Sequence, residues 1–127
     1  MAEQHKLEIK VYYEDTDSLG VVYYANYLKY FERGRTEVLE AGGKPVQQWN
    51  AEGYLFAVYK LEVTYLKPAL LGDICQVVTT PLSGSDFRKQ LRQQLVRDGE
   101  VLTEARVDLV CLDRDLELQE FPPGSID

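Results

Sequence analysis

Two carboxylates, a glycine turn and the start of an amphipathic helix lie together in Glu14-Asp15-Thr16-Asp17-Ser18-Leu19-Gly20-Val21-Val22-Tyr23-Tyr24-Ala25-Asn26-Tyr27. A helix N-terminus offers unpaired N–H groups and a partial positive charge. A carboxylate beside such an end can act on a carbonyl that those N–H groups polarise. That is the minimal equipment for attacking an ester or a thioester.

Other chemistries for the same aspartates fare differently. A calcium loop of the EF-hand kind, counted from Asp15, needs oxygen ligands at its fifth and twelfth positions. Those positions hold Leu19 and Asn26, so the calcium reading fails although Gly20 suits the sixth. A Mg²⁺-dependent phosphatase with two aspartates after a strand would need a parallel α/β sheet, and the chain offers one long helix. The plain alternative is an acidic turn that caps the helix. On either reading Asp15 belongs to the turn, and neither aspartate is expected in the core.

The elements that must hold this segment are legible from periodicity. Leu7, Ile9, Val11 and Tyr13 alternate with polar neighbours and predict a half-buried strand ahead of the acidic loop. From about Tyr24 the period changes. Tyr27, Tyr30, Phe31, Gly34, Val38 and Ala41 form one stripe at helical spacing, with Lys29, Glu32, Arg33, Arg35, Glu37 and Glu40 mostly off it. A glycine inside that stripe costs roughly 1 kcal/mol of helix propensity, so Gly34 predicts close approach of the helix to a sheet. Gly42-Gly43 and Pro45 end the helix. Pro45–Asn50 predicts one further turn, with Trp49 folding back on the core.

Four strands are then expected. Leu55, Ala57, Tyr59, Leu61, Val63 and Tyr65 form one apolar face of a long strand, and Ile74–Thr80 a second strand ended by Pro81. Phe87, Leu91 and Leu95 mark a third. Asp98-Gly99 is a two-residue hairpin turn leading into the alternating Val101, Thr103, Ala105, Val107, Leu109 and Cys111. The tail from Asp113, with Pro122-Pro123, is expected to be irregular. The order is strand, long helix, then four strands joined mostly by hairpins. It predicts an α+β fold, a curved antiparallel five-stranded sheet wrapped around one long helix, in a single domain over residues 1–127.

Composition narrows the partners. With 127 residues and a net charge of −7, the chain has no basic field to attract nucleic acid or an anionic membrane. It has no apolar run long enough to span a bilayer, and Met1–Lys10 carries no signal-peptide pattern, so a cytoplasmic location is expected. Cys75 and Cys111 lack metal-ligand spacing and read as small buried apolar residues, and His5 has no evident metal partner. No metal and no cofactor are expected.

Tyr12-Tyr13-Glu14-Asp15-Thr16-Asp17-Ser18-Leu19-Gly20-Val21-Val22-Tyr23-Tyr24-Ala25-Asn26-Tyr27, followed by Phe31-Glu32-Arg33-Gly34-Arg35-Thr36-Glu37, resembles the hotdog-fold thioesterases. The branch it resembles holds 4-hydroxybenzoyl-CoA thioesterase and the Tol–Pal-associated acyl-CoA thioesterases. Val63-Thr64-Tyr65-Leu66-Lys67-Pro68 and Gly72-Asp73 extend the likeness over nearly the whole chain, the tail excepted. The resemblance implies that Asp17, the second aspartate of the pair, is the catalytic carboxylate. It also implies that Tyr24 presents its backbone N–H to the thioester carbonyl. The Tol–Pal-associated branch usually has histidine where this chain has Tyr24. That departure removes an imidazole but keeps the backbone donor. Tyr13 is shared with that branch and fits either orientation of Asp17 or substrate, or the core.

On this reading the chain is an acyl-CoA thioesterase for a short, branched or aromatic acyl group. Tyr23, Asn26 and Tyr27 contact the substrate. Arg88 and Lys89, beside Arg92 and Arg97 in the densest basic group, meet the CoA phosphates. The rival is a non-catalytic hotdog module that binds acyl-CoA or an acyl-carrier protein without cleaving it. An open sheet edge and a site formed between subunits imply a homodimer or homotetramer.

Overall fold

The computed structural model describes residues 4–126. Residues 1–3, part of the stretch read above for a signal peptide, and residue 127 lie outside the described residues.

Strand β1 (His5–Lys10) is followed by the acidic loop, which carries a 3-10 turn at Tyr13–Asp15. A second 3-10 turn, Tyr24–Asn26, runs directly into helix α1 (Tyr27–Glu40). Helix α2 (Val46–Ala51), β2 (Leu55–Tyr65), β3 (Ile74–Gly84), β4 (Arg88–Arg97), β5 (Glu100–Leu112) and the two-residue β6 (Leu118–Gln119) complete the order. Every strand pairing is antiparallel, in the order β1-β3-β4-β5-β2, with β6 against the end of β5. This is the predicted α+β arrangement, with one extra short strand in a tail expected to be irregular. That tail also buries Phe121 and Ile126.

Helix α1 lies across β1, β3 and β4. Tyr27, Tyr30, Phe31 and Gly34 face the sheet as predicted, and Gly34 has the expected reason. A Cβ there would sit 2.7 Å from Val77 Cγ1 and 2.9 Å from Thr79 Oγ1. The later part of the stripe differs. Arg35 and Leu39 are buried, whereas Ala41 is exposed, because α1 ends at Glu40 and Ala41 is its cap. Arg35 is admitted by a buried polar network: it donates to Gln93 Oε1 (3.0 Å), and Gln93 Nε2 donates to the Phe31 carbonyl and to Thr79 Oγ1.

Two strand expectations are corrected. Pro81 does not end β3. The strand runs on to Gly84, with Pro81 itself opposite Leu91 of β4. In β2, a bulge between Val58 and Lys60 reverses the side-chain phase at Tyr59. The face shared with the buried residues of β5 is therefore Phe56 and Val58, then Leu61, Val63 and Tyr65. The continuous set Leu55 to Tyr65 read from strict alternation does not form. Helix α1 covers β1, β3 and β4 and meets β2 at its Tyr65 end, and Val58, Leu61 and Tyr65 stay exposed along this sheet edge, as does Tyr59 at the bulge. The Asp98-Gly99 turn forms as expected, with both residues at positive φ (50° and 79°).

Candidate active site

Asp17 opens a tight turn. Its N–H donates to the Val21 carbonyl (2.9 Å), and Gly20 N–H donates back to the Asp17 carbonyl (3.1 Å). Gly20 adopts φ +80°, which favours glycine. Leu19 N–H donates to Asp17 Oδ1 (2.8 Å), the Asx turn that Asp residues make readily. One carboxylate oxygen is thus held, and Oδ2 has no partner among the described residues. The side chain is exposed.

The strand leaving this turn is zipped to the connection between β2 and β3. Val21 bridges Leu70, Val22 N–H donates to the Ala69 carbonyl (2.9 Å), and Leu71 N–H donates to the Gly20 carbonyl (3.1 Å). Two residues later the chain enters the 3-10 turn ahead of α1. Among the described residues, the N–H groups of Tyr24 and Ala25 have no hydrogen-bond partner. They are free because the first amides of a helical turn have no carbonyl behind them. The carboxylate and the free amides are therefore seven and eight residues apart in sequence and joined by a hydrogen-bonded loop.

Asp15 departs from expectation. It is 8% exposed, and is part of the core wall rather than a solvated turn. Its Oδ2 accepts from Tyr12 N–H (2.9 Å) and its Oδ1 from Asn26 Nδ2 (2.9 Å). The Tyr30 hydroxyl is directed at the same carboxylate, in a looser geometry than a normal hydrogen bond. Burial alone would raise the Asp15 pKa. The Tyr12, Tyr30 and Asn26 donors and the charge of Arg33 outweigh it and hold the carboxyl below its ordinary value. Burial and the facing carboxylate push the Tyr30 phenol well above its usual range.

The other predicted residues divide. Tyr23 and Tyr24 are exposed at the turn, their ring centroids 4.9 Å apart, and the adjoining Tyr24 hydroxyl raises the Tyr23 pKa. Tyr13 is 82% exposed and makes no side-chain hydrogen bond to Asp17. Tyr27 does not wall an open pocket. It is 3% exposed, because its hydroxyl is tied to Ala69 N–H (3.0 Å) and its ring faces the core. Asn26 spends its amide on Asp15.

Arg88 and Lys89 do not form a joint basic cluster, because adjacent strand residues point to opposite faces. Arg88 lies on the outer face, paired with Asp108 (2.9 Å) and over the Tyr59 ring. Lys89 lies on the helix side, above Phe121. Both start β4, whereas Arg97 ends it and pairs with Asp73 (2.6 Å), whose Oδ2 also accepts from Leu70 N–H beside the Asp17 loop. Ten residues of strand, roughly 30 Å, separate the two ends. Within one chain, the basic pair and Asp17 cannot meet the same reacting atoms.

One residue was missed. Tyr65, the last residue of β2, donates its hydroxyl to the Tyr24 carbonyl (2.7 Å). Its ring stands edge-on to both Tyr24 (6.4 Å) and Tyr27 (5.3 Å). A strand pattern could place Tyr65 on a face but not against a turn 41 residues away. Nearby Cys75 is no nucleophile, since burial pushes its thiol up to about 11.

Residues 11–125 match the thioesterase-like superfamily. The chain is 40% identical over 106 residues to the acyl-CoA thioester hydrolase YbgC of Escherichia coli O6:H1, covering 83% of this chain and 79% of that one. It is 39% identical over 106 residues to the acyl-CoA thioesterase YbgC of Haemophilus influenzae, covering 83% of this chain and 78% of that one. The crystal structure of a probable thioesterase from Bartonella henselae superposes with a TM-score of 0.90 at 28% identity, covering 94% of this chain and all of that one. Among the described residues no helix is long and apolar enough to cross a membrane.

Proposed function

The chain belongs to the thioesterase-like superfamily, among the hotdog-fold acyl-CoA thioester hydrolases, and from that premise we propose that Asp17 and the amides opening the helical turn cleave a short, branched or aromatic acyl-CoA. The observation that carries this reading is the pairing of a carboxylate with one held oxygen and one free oxygen with the unpartnered N–H groups of Tyr24 and Ala25 on one loop.

The thioester carbonyl docks with its oxygen toward the Tyr24 N–H. As the carbonyl carbon becomes tetrahedral, negative charge on that oxygen is met by the amide dipole and by the partial positive charge of the helix start. Donors of this kind typically contribute ~2.7–4 kcal/mol to the transition state. Asp17 Oδ2 has two routes. It adds to the carbonyl carbon, expels the thiolate and leaves a mixed anhydride that water hydrolyses. Alternatively it takes a proton from a water molecule whose oxygen adds to the same carbon. Leu19 N–H keeps the carboxylate aimed in both. The exposed rings of Tyr23 and Tyr24 at the helical turn suit a compact or aromatic acyl group.

The assembly is a dimer, or a tetramer built from dimers. The exposed Val58, Leu61 and Tyr65 on an edge strand support this, since an open apolar edge favours pairing with another strand. Two β2 edges paired antiparallel would carry the start of the partner's β4 toward the Asp17 end of this chain. Lys89, which has no acidic partner among the described residues, would then meet the CoA phosphates across the subunit boundary, while Arg88 stays on the outer face with Asp108. Sedimentation showing a fully active monomer at micromolar concentration would overturn this arrangement.

Thiol release measured over a panel of acyl-CoAs tests the activity. Turnover is expected on short, branched or aromatic substrates. Tight binding of acyl-CoA or acyl-carrier protein with no turnover on any substrate would establish the non-catalytic reading instead.

A further inference from the structure

We propose that Tyr65 is a positioning residue for the oxyanion site, its hydroxyl holding the Tyr24–Ala25 peptide so that the Ala25 N–H joins Tyr24 as a second donor to the thioester oxygen. This rests on the function proposed above and adds to it a residue on a different element.

Tyr65 Oη lies 2.7 Å from the Tyr24 carbonyl oxygen. In a trans peptide the C=O and the N–H that follows it point in opposite directions. Fixing the Tyr24 oxygen therefore fixes the direction of the Ala25 N–H, which has no partner among the described residues. A hydrogen bond accepted by a carbonyl also polarises its own peptide, making the attached N–H a better donor. The single bond from Tyr65 thus sets both the aim and the strength of that amide.

The anchor is firm because of where Tyr65 sits. It closes β2 in register with Thr103 of β5. Its ring is braced against Tyr27, whose own hydroxyl is tied to Ala69 in the strip that holds the Asp17 turn. The turn carrying the amides is only three residues long, Tyr24–Asn26. Within it Asn26 N–H donates to the Tyr23 carbonyl, and the Tyr24 carbonyl accepts from Tyr65 outside the turn. Phenylalanine at this position would keep every ring contact and lose only the hydroxyl.

Tyr65→Phe is compared with the unaltered full-length protein and with Asp17→Asn. The readouts are steady-state acyl-CoA hydrolysis and the affinities for two probes. One probe is CoA itself. The other is an acyl trifluoromethyl ketone analogue of acyl-CoA, which becomes tetrahedral and anionic when bound. Tyr65→Phe should lower kcat by about 3- to 10-fold, the effect of one neutral hydrogen bond, with KM unchanged. Affinity for the ketone should fall by the same factor while CoA binds as before. The ratio of the two affinities does not depend on how much of the sample is folded, so a merely structural role would leave it unmoved. Unchanged kcat and ketone affinity in Tyr65→Phe, with Asp17→Asn inactive, would overturn this inference alone. Full activity in Asp17→Asn would overturn the underlying reading of the site, and this inference with it.

Discussion

Asp15 and Asn26 are joined side chain to side chain across eleven residues, carboxylate to amide at 2.9 Å, and that bond ties the acidic loop to the residue preceding the central helix. The second oxygen of Asp15 accepts from Tyr12 N–H on the other side of the loop. Two donors thus converge on one side chain, and only a carboxylate offers an acceptor to each.

Replacing that carboxylate by an amide leaves one donor facing another. Asp15→Asn should cost ~1–3 kcal/mol, the penalty for a buried polar group left without its partner. Exchanging the pair, Asp15→Asn with Asn26→Asp, should recover at least half of the loss. The amide at 15 then accepts from Tyr12 N–H and donates to the new carboxylate at 26. Urea unfolding of the three variants measures this. A double variant no more stable than Asp15→Asn would show that the Asn26 bond does not couple loop and helix.

The same contact fixes how acid unfolds the protein. The Asp15 pKa is lowered on folding from its ordinary 3.8, so the group stabilises the native state above about pH 4. That contribution is lost as pH falls through the lower, folded value. Below pH 4, stability of the unaltered protein should fall with a steeper slope than that of Asp15→Asn, which has no carboxyl to protonate at that position. Parallel acid limbs in urea unfolding between pH 2 and 4 would contradict the assignment.

Gly34→Ala is a test of the helix–sheet contact. Alanine gains roughly 1 kcal/mol of helix propensity. Its Cβ, however, would stand 2.7 Å from Val77 Cγ1, 2.9 Å from Thr79 Oγ1 and 3.0 Å from Gln93 Nε2. Val77 and Thr79 are β-branched, stiff and on a strand paired on both sides, so they cannot swing away. Moving Thr79 or Gln93 would also strain their mutual hydrogen bond. Overpacking of this kind costs ~1–3 kcal/mol, so a net loss is expected in thermal unfolding. An alanine variant more stable than the parent would mean the glycine has no packing role.

How much of this was legible in the sequence follows from the range of each interaction. Gly34 was legible because a glycine in an apolar helical stripe has few local reasons to be there. The Asp17 turn was legible because glycine and Asx chemistry act over two or three residues. The phase reversal at Tyr59 was not, since a bulge changes pairing without changing the alternation of residue types around it. The burial of Asp15 was hidden for a different reason. Its partners are a backbone amide and a residue eleven positions on, so its type alone reads as an exposed turn. Arg88 and Lys89 appeared as a cluster because adjacency in sequence is separation in a strand. Tyr65 needed the tertiary fold, which brings the end of β2 against the turn ahead of α1.

Arg88 and Lys89 should therefore separate when changed one at a time. Lys89 faces the helix side, and among the described residues no acidic group pairs with it. Lys89→Ala should raise KM for acyl-CoA, and the effect should shrink as salt rises. An acyl-pantetheine lacking the nucleotide should be indifferent to it. Arg88→Ala should leave KM nearly unchanged and reduce stability, because it strips the buried Asp108 of its cationic partner and leaves it with Gln90. Equal losses by Lys89→Ala on both substrates would move Lys89 from ligand binding to support of the fold.

Asp17→Asn isolates charge from shape. The amide oxygen can still accept from Leu19 N–H, so the Asx turn persists. The side chain is exposed and outside the core, so stability should shift by no more than about 0.5 kcal/mol. What disappears is an anionic oxygen able to add to a carbonyl or take a proton from water. If that oxygen does the chemistry, kcat falls by at least ~10²-fold, the lower end for a positioned acid–base group, while KM moves little. Asp15→Asn should show the reverse balance, with a large loss of stability and a smaller loss of kcat in the protein that remains folded. The comparison is made by active-fraction-corrected kcat beside urea unfolding on the same samples. Similar modest losses of kcat in both variants would mean that the acidic pair only shapes the loop, and the carboxylate that attacks the thioester would have to be sought elsewhere.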